Sequence, residues 1–462
     1  MSAPHAQDGL PAFDVVARRR PVQLARPLPD GGLPHAPYVG VEVDLDSPDA
    51  AARIGLASGD VELRAHREDG RVRLELTRGG RTSRHESRRH ARAPRSDGLA
   101  LTLTGDLATA WSRDGDRWLA RAVLRLDDAH TRGLDAPDVH DDDFLSCLHV
   151  TGAHDRAGVF GQLGLRDPRL VSHADGTPYV EDGRLLLSAT SAGPGGFGTG
   201  HTSVWSLGPG DLALEHRADL FFRRPPGGRT GVLGDHATHV VRDDDAWLVA
   251  TSTWGDFDER TNPRVSMTLA RAAATVDLLH GAHVLETTEL LAPTSAPGLE
   301  TTSVGTWDPH LVRTDAGWLV AYVSASRFFV FHPVLAEGPD LDSLTLRAAA
   351  TRRTSCEGPT LLRTDAGWRV LASHGRDGRR DREGTPATYP VLDLDLHEVG
   401  TLTARYPTNL PWPTLARTGP GPDDWLLIGF DGTTAGGPLL GYGTHGDLVL
   451  QRPDSGPSDL IG

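Results

Sequence analysis

The 462-residue chain contains no lysine: all 47 of its cationic side chains are arginine. Lysine Schiff bases, pyridoxal phosphate held as an imine and the phosphate-gripping lysine of a P-loop are thereby excluded. Cysteine is nearly as scarce, with only Cys147 and Cys356, far apart in sequence, so there is no disulfide framework. No apolar run approaches the roughly 20 residues a membrane helix needs. The opening Met-Ser-Ala-Pro-His-Ala-Gln-Asp has no apolar core behind a positive end. Neither a membrane span nor a secretion leader is expected, and a cytoplasmic location fits best. Beyond Arg88-Arg89-His90-Ala91-Arg92 there is no basic stripe, and the formal net charge is −15, which argues against a nucleic-acid partner. Sustained helical periodicity is also missing, whereas 53 Gly and 33 Pro make the chain turn-heavy. An all-β protein is expected, and with 38% hydrophobic residues it can still bury ample core in two or three domains.

What the chain does contain is a repeat. The hexapeptide Arg313-Thr-Asp-Ala-Gly-Trp318 recurs as Arg363-Thr-Asp-Ala-Gly-Trp368, each copy preceded by Pro-x-Leu-hydrophobic. Weaker copies run from Thr238 through Arg242 to Trp247 and from Pro413 through Arg417 to Trp425. The most divergent is Pro178-Tyr-Val-Glu-Asp-Gly-Arg-Leu-Leu-Leu187, with Asp182 in place of the Arg. Units of roughly 40 to 50 residues that read apolar strand, tight turn, apolar strand are propeller blades, because one blade cannot bury both faces alone. Taking Pro178, Thr238, Pro309, Pro359 and Pro413 as equivalent points predicts a five-bladed β-propeller over residues 167–462. Phe328-Phe-Val-Phe331 and Val391-Leu-Asp-Leu394 are expected as third strands.

Residues 35–130 instead alternate apolar and polar in short runs such as Val61-Glu-Leu-Arg64 and Val72-Arg-Leu-Glu-Leu76, separated by Asp69-Gly70, Gly79-Gly80 and Asp114-Gly115. Strands with one wet face and regular turns predict a β-sandwich-like accessory domain, which either binds carbohydrate or braces the propeller. Residues 1–34 read as an N-terminal tail and 131–166 as a linker or closing segment.

Chemistry is expected where the inner strands begin, because those positions converge on one face of the disc. Successive blades there present Asp175, Asp235 with His236, Asp308 and Glu357, in Asp175-Gly-Thr-Pro178, Asp235-His-Ala-Thr238, Trp307-Asp-Pro309 and Cys356-Glu-Gly-Pro359. Carboxylates sharing a pocket repel, which raises some of their pKa values and supplies an acid and a base at neutral pH. Cleavage of a glycosidic bond needs such a pair.

With Trp-Asp-Pro on the third blade and Glu-Gly-Pro on the fourth, the region from about 160 to 450 resembles the five-bladed propeller glycosidases related to glycoside hydrolase family 43. Those enzymes act on furanosides and pentosides. The resemblance implies Glu357 as general acid, Asp308 as the residue that tunes and orients it, and an Asp before the first-blade Pro as base. Thr177 stands there instead. The base is therefore left among Asp175, Asp235 and Asp167, the last in Arg166-Asp-Pro168, a string shared with related fructosidases and invertase-like propellers. The family's inverting mode implies carboxyl groups about 6.5 to 9.5 Å apart. The expected partner is a carbohydrate. A non-catalytic carbohydrate-binding propeller is the alternative, followed by a glycoside phosphorylase, for which Arg352-Arg353 is the one supporting feature, or a lyase.

His236, His239 and His310 are candidate substrate contacts, the latter two sharing one register toward the axis, where they could equally be hydrogen-bonded fillers. Trp254 and Trp412 break the repeat register and are candidates to stack on a sugar. Trp247, Trp318, Trp368 and Trp425 read as packing between blades, and Asp182, Asp315, Asp365 and Asp243-Asp-Asp245 as turn formers. Gly193-Pro-Gly-Gly-Phe-Gly198 reads as a loop rimming the pocket. No cofactor is expected. No metal-ligand spacing occurs, although a structural cation on the propeller axis is conceivable. Sugar identity, exo or endo action and oligomeric state are not legible.

Overall fold

A computed structural model describes residues 10–126, 137–294, 303–327, 330–375, 387–408, 410–421, 423–440 and 446–454. Among these residues the chain is all-β apart from the helix Asp142–Ser146, capped by Asp141, and two short 3-10 turns. No helix among them is long and apolar enough to cross a membrane.

Five blades surround one axis. The inner strands are Leu165–Leu170, His236–Asp243, Gly305–Thr314, Cys356–Thr364 and Thr414–Arg417. Each pairs antiparallel with the next strand of its blade. Blades one and two are joined at the rim by parallel pairing of Leu214–Arg223 with Gly281–Glu289. Of the expected third strand in blade three, Phe328 and Phe329 lie outside the described residues, while Val330–Gly338 forms that strand.

The hexapeptide acquires a physical meaning in this frame. Its Arg and its Trp face each other across the inner hairpin, as Arg313↔Trp318, Arg363↔Trp368, Arg242↔Trp247 and Arg417↔Trp425. Guanidinium groups stand over the indoles at 5.9 Å in blade three, 5.2 Å in blade two and 4.9 Å in blade five. Cross-strand cation–π pairs of this kind add about 0.5–1 kcal/mol each at part-exposed sites, and they pin hairpin register. In blades two, three and five the Trp is buried, in keeping with the packing role read from the repeat. The turns hold Asp182 at φ 50° and Asp244 at φ 46°, left-handed positions that Asp tolerates.

Of the segment 1–34, the described residues 10–34 form more than a tail. Phe13–Arg19 pairs antiparallel with Asp447–Pro453 and completes the fifth blade, with Arg18 Nη1 2.6 Å from Asp431 and Arg20 Nε 2.6 Å from Asp447. From this strand the chain leaves the propeller to build the second domain and returns. That domain is a sandwich of two five-stranded sheets packed over Ile54, Leu63, Leu74, Leu101 and Trp111. Segment 131–166 contributes to it as well: His149–Thr151 and Arg156–Val159 each extend one sheet. Its hairpins turn where Asp69-Gly70 and Gly79-Gly80 adopt positive φ, as the turn pairs require.

Candidate active site

Four inner strands share a local distortion. Register shifts lie between Arg166 and Arg169, His236 and His239, Trp307 and His310, and Glu357 and Thr360. Within each bulge one residue has positive φ: Asp167 at 51°, Ala237 at 60°, Asp308 at 60° and Gly358 at 65°. A bulge bends the strand and re-aims its side chains, and positive φ in a non-glycine residue before proline is held only where surrounding structure enforces it.

Enforcement comes from a ring of hydrogen bonds between blades. Ala237 N donates to Thr190 Oγ1 at 3.3 Å, Asp308 N to Ser252 Oγ at 3.0 Å and Gly358 N to Asp308 Oδ2 at 3.1 Å. Ser373 Oγ donates to the Pro411 carbonyl at 2.7 Å, and Thr414 Oγ1 closes the ring on the Pro168 carbonyl at 2.6 Å.

This alignment corrects the first blade. Its inner-strand head is Arg166-Asp167-Pro168, equivalent to Trp307-Asp308-Pro309, whereas Pro178 follows the strand's far end. Asp175 lies in an exposed turn there, accepting from Thr177 Oγ1 and N; against burial, these two bonds and then the His173 and Arg363 charges lower its pKa. Gly176 next to it packs on Trp368 and Val312, at the hairpin end of blades three and four. Asp175 is thus at the mouth opposite the carboxylate cluster. Asp235 is buried and engaged: Arg224 bonds both its oxygens and also Asp256, and Gly255 N donates to it at 3.0 Å. Burial, opposed by Arg224, leaves its pKa raised.

Three carboxyl groups remain at the bulges. Asp167 accepts from Arg166 Nε at 2.9 Å and from Thr190 Oγ1 at 2.8 Å. Glu357 is raised to about 7, chiefly by burial, with Asp167 adding repulsion and Arg166 opposing it. The indole N–H groups of Trp412 and Trp307 also favour its charged form. Asp308 is raised well above the usual range by burial and then by the Glu357 charge, with Arg169 and the Gly358 amide pulling the other way. Its bond to Gly358 N grips the residue that follows Glu357.

Beneath them the axis is filled. Arg169 is fully buried, donates to the carbonyls of Pro359 at 3.0 Å and Asp308 at 2.9 Å and to Thr360 Oγ1 at 3.1 Å, and lies 4.5 Å from the Trp412 ring. His239 and His310 stack at 4.1 Å and 12°. Leu311 N donates to His239 Nδ1 at 3.0 Å and Leu361 N to His310 Nδ1 at 3.4 Å, so those lone pairs are taken. Burial holds both imidazoles well below the usual pKa. Both are neutral, hydrogen-bonded side chains stacked on the axis. Among the described residues no group of three or more His, Cys, Asp or Glu could hold a metal ion.

His236 stands differently. Its Nε2 lies 3.2 Å from the Phe197 carbonyl, which makes Nε2 the protonated nitrogen, and burial lowers its pKa to about 4. Nδ1 is then a buried acceptor with no partner among the described residues. Trp254 stacks on Phe197 at 4.4 Å and meets Trp307 at 5.6 Å, leaving Phe197 as the half-exposed face of the group. Trp412 is no open platform, because it packs on Gly358 and over Arg169 with almost no accessible surface. Arg353 is held 2.6 Å from Glu398, on the outer strand of blade four. Arg166, Arg169, Thr190, Phe197 and Trp307 were not singled out from the sequence. Reading the residue before each bulge, Arg166, His236, Trp307 and Glu357, would have found Arg166 and Trp307.

No model of a known protein family matches the chain, and no curated protein matches it in sequence. Among solved structures it is similar to Zg3597, a family 117 glycoside hydrolase of the marine bacterium Zobellia galactanivorans, at 12% identity over 63% of this chain and 84% of that one, TM-score 0.44. It is also similar to the levansucrase of Bacillus subtilis, at 10% identity over 63% and 84%, TM-score 0.44. An alpha-L-arabinofuranosidase from Lactobacillus brevis shares 13% identity over 62% of this chain and 90% of its own, TM-score 0.39.

Proposed function

We propose that the chain is a glycoside hydrolase, acting on furanosides, pentosides or related oligosaccharides with Glu357 as general acid and Asp167 as general base. The observation that carries this reading is the bulge shared by three inner strands, which brings Asp167 and Asp308, at its positive-φ position, and Glu357, one residue before Gly358 at that position, to the same mouth of the propeller. Glu357, neutral up to about pH 7, donates its proton to the leaving oxygen as the glycosidic C–O bond breaks. Asp167, gripped by Arg166 and Thr190, takes a proton from the water that attacks the anomeric carbon, giving inversion. Asp308 contacts the acid only through the Gly358 amide and its charge, and it orients and tunes Glu357. His236 Nδ1 accepts a hydrogen bond from a sugar hydroxyl beside the Phe197–Trp254 stack. Furanoside or pentoside preference rests on the resemblance of the Trp-Asp-Pro and Glu-Gly-Pro strings. The main support for a non-catalytic propeller falls away, since Thr177 is not at an inner-strand head.

The test is turnover of aryl and natural furanosides, pentosides and fructosides by the wild type and Glu357→Gln, with product anomers followed by NMR. Wild-type turnover that collapses in the variant, with the inverted anomer formed first, is expected. A retained anomer would make Asp167 a nucleophile, and saturable sugar binding without turnover on any substrate would leave a binding propeller.

A further inference from the structure

The sandwich reaches into the candidate site at one point, and it does so through a buried hydroxyl. Tyr38, at the start of the sandwich strand Tyr38–Asp44, donates its O–H to the Gly198 carbonyl at 2.9 Å and accepts from Gly234 N at 3.0 Å. Gly198 belongs to the loop that carries Phe197, and Gly234 precedes Asp235 and His236, so one phenol ties together two propeller loops. The fit is close: a Cβ on Gly234 would fall 2.3 Å from the Tyr38 ring, and one on Gly105, in a sandwich turn, 2.5 Å from the Gly198 carbonyl oxygen. Leu107 of the sandwich lies under Gly195. The loop so held supplies the half-exposed Phe197 ring and the carbonyl that takes the Nε2 proton of His236.

Resting on the glycoside hydrolase reading above, we infer that Tyr38 is a positioning residue for substrate binding: the sandwich domain, through Tyr38, holds the 193–200 loop so that Phe197 and the free Nδ1 of His236 face the sugar. Tyr38 touches none of the three bulge carboxyls, so its effect falls on binding and spares the chemical step. The accessory domain then forms the outer wall of the pocket, and it needs no sugar site of its own for this.

Three variants separate positioning from mere stability. Tyr38→Phe removes both hydrogen bonds and strands the Gly234 amide. Gly105→Ala pushes on Gly198 from the sandwich side. Gly115→Ala is the control: its φ of 59° matches the 55° of Gly105, so the backbone strain is alike, but its Cβ would meet nothing within 4 Å. Losing both buried hydrogen bonds, with the Gly234 amide and the Gly198 carbonyl left unpaired by Tyr38, should raise KM about tenfold or more in Tyr38→Phe, with kcat within about twofold. Gly105→Ala should shift KM the same way and Gly115→Ala should leave it unchanged. Hydrogen exchange over 193–200 should quicken in the first two variants only. Unchanged KM and unchanged exchange in Tyr38→Phe, whatever its melting temperature, would overturn the inference. Should the wild type turn over no glycoside, the hydrolase reading fails, while the exchange data still decide whether Tyr38 holds the loop.

Discussion

Replacing Glu357 by Gln tests the electrostatics of the pocket while keeping its shape. Burial, with repulsion from Asp167 added and Arg166 and two indoles opposing, raises this carboxyl from 4.5 to about 7. Its folded pKa lies above its unfolded one, so folding favours the neutral acid. The stability it confers is fully present below about pH 4.5 and is lost as pH rises through about 7. A rise of that size is worth roughly 3 kcal/mol at about 1.4 kcal/mol per unit. Glu357 retains some solvent access through the pocket mouth, so about 2 kcal/mol is the working figure. Gln is neutral throughout. The variant should therefore melt close to the wild type at pH 4.5 and about 2–5 °C above it at pH 8, with the Asp308 carboxyl relaxing as well because its neighbour's charge is gone. Calorimetric scans of both proteins from pH 4.5 to 8 read the difference directly. A gap that does not change with pH, or a wild type that is the more stable at pH 8, would refute the argument that burial holds Glu357 protonated.

Asp167→Asn should lower kcat by about 10²–10⁴, the usual worth of a general base, while Asp175→Asn at the opposite mouth stays within about twofold; steady-state kinetics of the two variants checks which carboxylate serves. Arg224→Met leaves Asp235 buried without its partner and should cost about 3–5 kcal/mol in denaturant unfolding, most of which a second change, Asp235→Asn, restores. Treatment with a chelator should leave turnover and melting temperature unchanged, because the axis carries the Arg169 guanidinium and imidazoles whose Nδ1 atoms accept backbone amides. A chelator-sensitive melting temperature would place a cation on the axis after all. Deleting the chain through Arg20 removes the strand that completes the fifth blade, so the truncated protein should unfold at markedly lower temperature.

Local patterns carried much of this molecule. Alternation and turn pairs such as Asp69-Gly70 mark strands and hairpins, because side-chain period and φ preference act over a few residues. The Arg–Trp hexapeptide determined the hairpin register of two blades, and its weaker copies that of two more, since its two ends pair across a single turn. Asp308 and Glu357 were legible for the same reason: each lies a fixed step before the proline of its own inner strand. What the sequence could not decide were matters of convergence. Pro178 and Pro168 are equally good local signals, and only the interblade ring from Thr190 to Pro168 shows which proline follows a bulge. Asp235 reads as a free carboxylate until Arg224 is folded onto it. His239 and His310 share a register in sequence, but whether they meet a sugar or each other depends on how wide the axis is, and tertiary packing brought them to 4.1 Å. Phe13–Arg19 finds its partner at the other end of the chain, and Tyr38 finds its two glycines in another domain. Strands and turns follow from neighbours in sequence, whereas the pocket is made by side chains that only the closing of the ring brings together.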